Sequence, residues 1–200
     1  HDAAHQHVSG CARYVDDIPS EPNTLFAYPG FSTVARGKIV SIDLSAVRAA
    51  PGVVDVVTAK DVPGHTDIGP VYPGDPLFAD STVSFFGQVV FAVAATSQLA
   101  ARRAARLAVI EYADEAPQLD VVAALENEEF VRPSHRQHRG DAQAAIAAST
   151  HSLSGEFRSG GQEQMYLEGQ AAMAVPQEDG GMLVHASTQH PSEGQKLVAE

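Results

Sequence analysis

Residues 82–112, TVSFFGQVVFAVAATSQLAARRAARLAVIEY, constrain the fold more than any other stretch of the chain. The first half is dense in β-branched and aromatic residues and is broken at Gly87, a pattern of two short strands. At Ser97 the pattern changes. The Ser97 hydroxyl stands where an N-cap accepts backbone N–H groups. Leu99, Ala100, Leu107 and Ala108 then supply an apolar side while Arg102, Arg103 and Arg106 crowd the other, which predicts an amphipathic helix. LAVIEY returns to strand. Strands and helix in immediate succession predict a mixed α/β (α+β) fold.

The residues upstream repeat the alternation. TLFAYPG and GKIVSIDL read as strands closed by turn residues. LSAVRAAPG offers Ser45 as an N-cap, a short helix, and a stop at Pro51-Gly52. VVDVVTA is a dense apolar run of strand length, expected in a buried sheet. Residues 61–80 hold four prolines and three glycines and are expected to form a long irregular loop. Residues 1–113 thus read as one compact domain. An acidic and then a basic run over 114–140 reads as a linker carrying one short helix, VVAALEN. Residues 141–200 read as the start of a second domain, with a short helix at AQAAIAAST and polar–apolar alternation through HSLSGEFRSGGQ and AAMAVPQEDGGMLVHAST. There EDGG marks a hairpin turn. HPSEGQKLVAE starts a helix with Pro191 in its first turn. It reaches Glu200 without a C-cap, so this end is expected to be cut.

Charge and cysteine usage narrow the function classes. A net charge of −12 argues against a nucleic-acid surface, which needs a basic patch. The single cysteine, Cys11, allows no intramolecular disulfide, fits a reducing compartment, and excludes an iron–sulfur cluster held by four local thiolates. With 44% hydrophobic and 19% charged residues the chain has the composition of a soluble globular protein. No apolar run approaches the roughly 20 residues that cross a bilayer. The opening HDAAHQHVSG has neither the apolar core of a secretion signal nor an initiator Met, so a processed or cut N-terminus is expected.

Histidines are the first candidates for chemistry. His1, His5 and His7 lie close in sequence but lack a cysteine or carboxylate at a ligand spacing, and no zinc site is expected there. His135 and His138 share a basic patch with Arg132, Arg136 and Arg139, which reads as a solvated linker or a contact for an acidic partner. No Ser–His–Asp arrangement, phosphate-binding loop or dinucleotide fingerprint is present. The remaining candidate is SGGQEQMYLEGQ, residues 159–170. Gly160 and Gly161 either form a plain hairpin turn or let the backbone bring the Gln162 carboxamide, donor and acceptor in one group, against a ligand. The local sequence is compatible with both.

Three segments in order carry a resemblance: HVSGCARYVDDIP, KIVSIDLSAVRAAPGVVDVVTAKDVPG and GEFRSGGQEQMYLEGQAAMAVP. Together they resemble the molybdenum hydroxylases, the family of xanthine dehydrogenases and aldehyde oxidases, and within it the N-terminal part of the molybdopterin-binding subunit of the bacterial xanthine dehydrogenases. The likeness covers essentially the whole chain. It implies an α/β-hammerhead domain over residues 1–113, a linker over 114–140, and the truncated start of a molybdopterin-binding domain over 141–200. It also implies that Gly161 and Gln162 bind the cofactor, with the Gln162 amide hydrogen-bonded to the apical oxo ligand of molybdenum, an outer contact that tunes the metal. Glu168-Gly169-Gln170 favours a xanthine dehydrogenase over an aldehyde oxidase. Cys11 stands where the family commonly has an acidic residue.

The resemblance implies further that no catalytic residue lies in these 200 residues. The glutamate base, the purine-holding residues and a glycine-rich pterin segment would lie elsewhere in the subunit. FAD and 2Fe-2S clusters would sit on a partner subunit of a cytoplasmic heterotetramer in purine catabolism, and the 200 residues alone would hold no cofactor and be inactive. The expected activity is xanthine or hypoxanthine hydroxylation to urate, with electrons passing to NAD. The alternatives are a related hydroxylase acting on aldehydes or other N-heterocycles, or a non-catalytic assembly module.

Overall fold

A computed structural model describes residues 2–200. The chain forms two compact units, one made of the chain up to Pro117 together with Glu168–Glu200, the other of Gln118–Leu167. In the first unit a short helix α1 (Ala4–Ser9) precedes β1 (Phe26–Phe31), β2 (Gly37–Asp43), α2 (Ser45–Arg48) and β3 (Val53–Thr58). Then come β4 (Thr82–Val83), β5 (Val89–Ala95), α3 (Gln98–Ala105) and β6 (Val109–Asp114). The second unit contains α4 (Val121–Glu126) and α5 (Ala142–Ala147). The chain ends on β7 (Ala172–Pro176), β8 (Met182–Ala186) and α6 (Pro191–Ala199), which belong to the first unit.

The strands form two three-stranded antiparallel sheets, β1-β5-β3 and β4-β2-β6, and a β7-β8 hairpin. The run VVFAVAA makes β5 the centre of the first sheet, and Val90, Phe91, Val93 and Ala95 on it are all buried. Burial of the adjacent pair Val90 and Phe91 means that both faces of this strand are covered, as a nearly continuous apolar run requires. β3 differs from its expected place in a buried sheet. It is an edge strand paired to β5 alone, with Val56 buried but Val54 58% exposed. An apolar run of this length does not distinguish a central strand from an edge one.

Val47 of α2, Val83 of β4, and Ala101 and Ala104 of α3 complete the core. Ser97 caps α3 as expected, its hydroxyl accepting from the Ala100 N–H at 3.2 Å. Of the expected apolar side, Ala100 and Ala108 pack partly buried against the core while Leu99 and Leu107 are exposed, and the fully buried residues of α3 are Ala101 and Ala104. Three residues apart, these alanines lie on one helix face, and their small side chains let the helix backbone approach β1 and β5 closely. At α2 the expected N-cap Ser45 is instead the first helical residue. The cap group is the Asp43 carboxylate at the end of β2, which accepts from the Ser45 N–H at 2.9 Å.

Gly87, with φ +84°, makes the tight link between β4 and β5. That link is locked by Ser32, whose buried hydroxyl accepts from the N–H groups of Gly87 and Gln88, each at 3.1 Å. Residues 61–80 are almost wholly irregular, as their prolines dictate. They are tied by the Asp67 carboxylate, which accepts from the N–H groups of Gly69, Gly74 and Asp75.

In the second unit, Asp120 caps α4 by accepting from Val122 and Ala123, and Asp141 caps α5 by accepting from Ala144. The alternation of HSLSGEFRSGGQ does not make a strand, since residues 151–166 are irregular and exposed. Alternation yields a strand only where a neighbour pairs with the backbone, and among the described residues none does. The alternating run after it does pair, and its EDGG turn closes the β7-β8 hairpin with Gly180 at φ +83°.

Candidate functional site

The Gly-Gly-Gln sequence is not a hairpin turn. Gly160 and Gly161 lie in irregular backbone, outside the left-handed region. A Cβ built at either meets no atom within 4 Å, so the backbone is open to close approach on that side. Gln162 is exposed, and its Nε2 donates to the carbonyl of its neighbour Gly161 at 3.1 Å. A strained residue follows: Met165 has φ +49°, rare for a side chain other than glycine or asparagine, and its N–H meets the Glu163 carboxylate at 3.3 Å.

The downstream end of this segment is anchored within the first unit. The Ser187 hydroxyl donates to the carbonyl of Gly169 at 2.9 Å and accepts from the N–H of Ala171 at 2.8 Å, and the Ser187 N–H bonds the Ala171 carbonyl. The half-buried Glu168 carboxylate accepts from the N–H of Val15 at 2.9 Å, closing 153 residues of chain. Sequence reasoning used Glu168 only as a marker of resemblance and missed this bond. A charged side chain between YL and G, with a turn-forming YVDDIP far upstream, gave no pairing signal.

The other candidates are dispersed. His1 lies outside the described residues. His5 and His7 stand on α1, where the His7 ring meets the Tyr14 hydroxyl at 3.3 Å. His135, Arg136, His138 and Arg139 are exposed on irregular backbone. Among the described residues no group of three or more His, Cys, Asp or Glu side chains could hold a metal ion. A cleft of about 400 Å³ that the sequence did not announce lies beside Tyr28, Phe31, Arg106, Ile110 and Tyr112. Burial pushes the Tyr112 phenol pKa up, and Thr33, near it but short of a hydrogen bond, partly opposes the shift. No carboxylate or histidine lines this cleft, so it offers no acid–base pair.

A molybdenum–molybdopterin group would need polar donors aimed at its ligands and backbone able to come close. The open Cβ side of Gly160 and Gly161 and the exposed Gln162 carboxamide fit those needs. Gln162 and Gly161 are thus open to contact with such a group.

Residues 9–116 match the family model described as aldehyde oxidase and xanthine dehydrogenase, a/b hammerhead domain, and residues 125–200 match the molybdopterin cofactor-binding domain. Over its whole length the chain is 40% identical to xanthine dehydrogenase of Drosophila pseudoobscura pseudoobscura. It is 38% identical to xanthine dehydrogenase/oxidase of Gallus gallus and 38% identical to aldehyde oxidase 4 of Cavia porcellus. The chain spans 15% of each of these relatives. Among solved structures, quinoline 2-oxidoreductase from Pseudomonas putida 86 superposes over 98% of the chain and 27% of its own, with TM-score 0.78 and 25% identity. The aldehyde oxidoreductase from Desulfovibrio gigas superposes over 92% of the chain and 22% of its own, with TM-score 0.72 and 26% identity.

Proposed function

We propose that this chain, which belongs to the aldehyde oxidase and xanthine dehydrogenase family of molybdenum hydroxylases, presents Gln162 to the molybdenum–molybdopterin group of an enzyme that hydroxylates xanthine and hypoxanthine to urate. The observation that carries the reading is the exposed Gln162 carboxamide beside two glycines with open space around them, within the stretch matching a molybdopterin cofactor-binding domain. When bound, that group supplies the two-electron oxidation that hydroxylation of the substrate requires. The chain's own part is electrostatic. The Gln162 amide, now bonded to the Gly161 carbonyl, would turn to the group and place a neutral donor where charge redistributes. Gly160 and Gly161 keep that side free of Cβ atoms. The acid–base group of the reaction and the substrate-holding residues lie outside these residues, and electrons leave through iron–sulfur and FAD domains of a partner subunit.

Glu168-Gly169-Gln170 supports xanthine as the substrate. A second reading, a hydroxylase of aldehydes or other N-heterocycles, is favoured by the 38% identity to aldehyde oxidase 4, equal to that to a xanthine dehydrogenase/oxidase. Steady-state kcat/KM for xanthine against an aromatic aldehyde, measured on the full-length assembled enzyme, chooses between them.

The same enzyme tests Gln162. Gln162→Ala should fold and assemble while turnover per bound molybdenum falls, by less than the roughly 10²–10³ that removing one preorganised donor costs elsewhere. Gln162→Glu should be slower still, since it sets a carboxylate against an anionic oxygen. Wild-type turnover in both variants at full molybdenum loading overturns the assignment.

A further inference from the structure

The cleft of about 400 Å³ lined by β1, the end of α3 and β6 takes no part in the function proposed above. All its lining residues belong to the first unit. Small residues make the room. At Gly30 the backbone of β1 lies directly on the Phe91 ring, which a Cβ there would strike, and Ala105 and Ala108 offer only methyl groups from the helix side. Rings make the walls. The register of β1 on β5 shifts between Gly30 and Phe31, and the Tyr28 and Phe31 rings meet edge to face, with centroids 6.1 Å apart and planes at 82°. β6 adds Ile110 and Tyr112. The volume falls within the roughly 300–1,000 Å³ usual for small-molecule sites.

Two donors at this apolar cleft are uncommitted. Arg106 is exposed and, among the described residues, makes no ion pair, although the chain carries a net charge of −12. The Tyr112 hydroxyl oxygen is buried and makes no hydrogen bond, with Thr33 near it but short of completing one. A buried hydroxyl left without a partner costs free energy that an acceptor oxygen restores. No carboxylate or histidine lines the cleft, so no side chain there repels an anion. Flat aromatic walls suit a planar ring, and a guanidinium and a phenol both donate to a carboxylate. We infer that this cleft binds a small aromatic carboxylate, its ring against Tyr28, Phe31 and Ile110 and its oxygens held by Arg106 and the Tyr112 hydroxyl. The inference stands apart from Gln162 and from the choice of oxidised substrate.

The test uses the full-length assembled enzyme with naphthalene-2-carboxylate as probe and the neutral naphthalene-2-carboxamide as control. Calorimetry measures binding and amide exchange maps it. The acid should bind saturably and slow exchange in peptides covering residues 26–33 and 105–113. Arg106→Ala should weaken it about tenfold, the low end for losing a hydrogen bond between charged groups. Arg106→Lys keeps the charge and should recover part of that loss. Tyr112→Phe should weaken the acid by a similar factor and leave exchange of β6 in the unliganded protein as in wild type, since the hydroxyl it removes bonds nothing. The carboxamide should bind more weakly than the acid and ignore Arg106→Ala. No saturable binding at millimolar acid overturns the inference, and a cleft covered by another part of the longer polypeptide gives that result. Binding that either Arg106→Ala or Tyr112→Phe leaves at wild-type strength overturns the two-donor site and puts the acid elsewhere in the enzyme. Equal affinity for acid and carboxamide overturns recognition of the anion. Lost protection of β6 in unliganded Tyr112→Phe would reveal a partner for the hydroxyl within the fold and overturn its part in binding.

Discussion

Asp67 organises its loop by collecting three backbone N–H groups on one carboxylate, from Gly69, Gly74 and Asp75. These bonds need the ionised form, and those from Gly69 and Gly74 above all hold its pKa below the usual aspartate value of 3.8. The sign follows from that. A depressed folded pKa adds stability that is fully present above the unfolded value and is lost as pH falls through the folded one. The loop between Asp67 and Pro76 should therefore be indifferent to pH above the usual aspartate range and release only as pH falls below it. Amide shifts of Gly69 and Gly74 followed from pH 6 to 2 should show one acid step, and Asp67→Asn should remove it; a step that persists in Asp67→Asn sinks the account. Residue chemistry of this kind was only partly legible in the sequence. Asp43 and Ser45 are both capable caps two positions apart, and which one caps α2 depends on where β2 ends, which is set by its pairing with β6. Gln162 was singled out through the resemblance, since the local Gly-Gly-Gln is as compatible with a plain turn. Its bond to Gly161 was not legible, since an amide can turn to any local carbonyl.

Between α3 and the sheet, pattern and packing part company. Periodicity gives the helix and its arginine face correctly, because both depend on the 3.6-residue repeat alone. It selects Leu99, Ala100, Leu107 and Ala108, of which only the alanines pack against the core, whereas the fully buried residues are Ala101 and Ala104, 0% and 1% exposed. How near two elements approach is a property of the pair, and one strand's sequence does not contain it. Ala104→Leu should therefore destabilise the protein by about 1–3 kcal/mol through overpacking, whereas Leu99→Ala should cost under about 0.5 kcal/mol as a surface change. Urea unfolding of both variants decides. If Leu99→Ala is the more damaging, the buried stripe has been misplaced. Edge and centre are hidden for a similar reason: VVDVVTA and VVFAVAA look alike, but the second has partners on both sides and the first on one.

At the scale of the whole molecule, the buried side chains among the described residues all belong to the stretch from Ser32 to Ala104. No residue from 118 to 167 is buried, and Val131, Leu153 and Phe157 there are at least nine-tenths exposed. In the sequence the character changes after residue 113, but the helices VVAALEN and AQAAIAAST look like any others until their lack of neighbours is seen. Ordering a residue costs about 1–2 kcal/mol of backbone entropy, which burial must offset, and this segment has little burial to set against it. The relatives are several times longer, with the chain spanning 15% of them. For the 200-residue polypeptide expressed alone, amides of residues 118–167 should then exchange within minutes while those of β5 and α3 stay protected. The same polypeptide should hold no molybdenum cofactor after desalting. The Gln162 hydrogen bond contributes about 0.5–1.5 kcal/mol, against the roughly 8 kcal/mol of micromolar affinity, and the loop must be ordered as well. Stoichiometric molybdenum in the desalted polypeptide, measured by mass spectrometry, would mean that these residues alone build far more of the cofactor site than one carboxamide and two glycines.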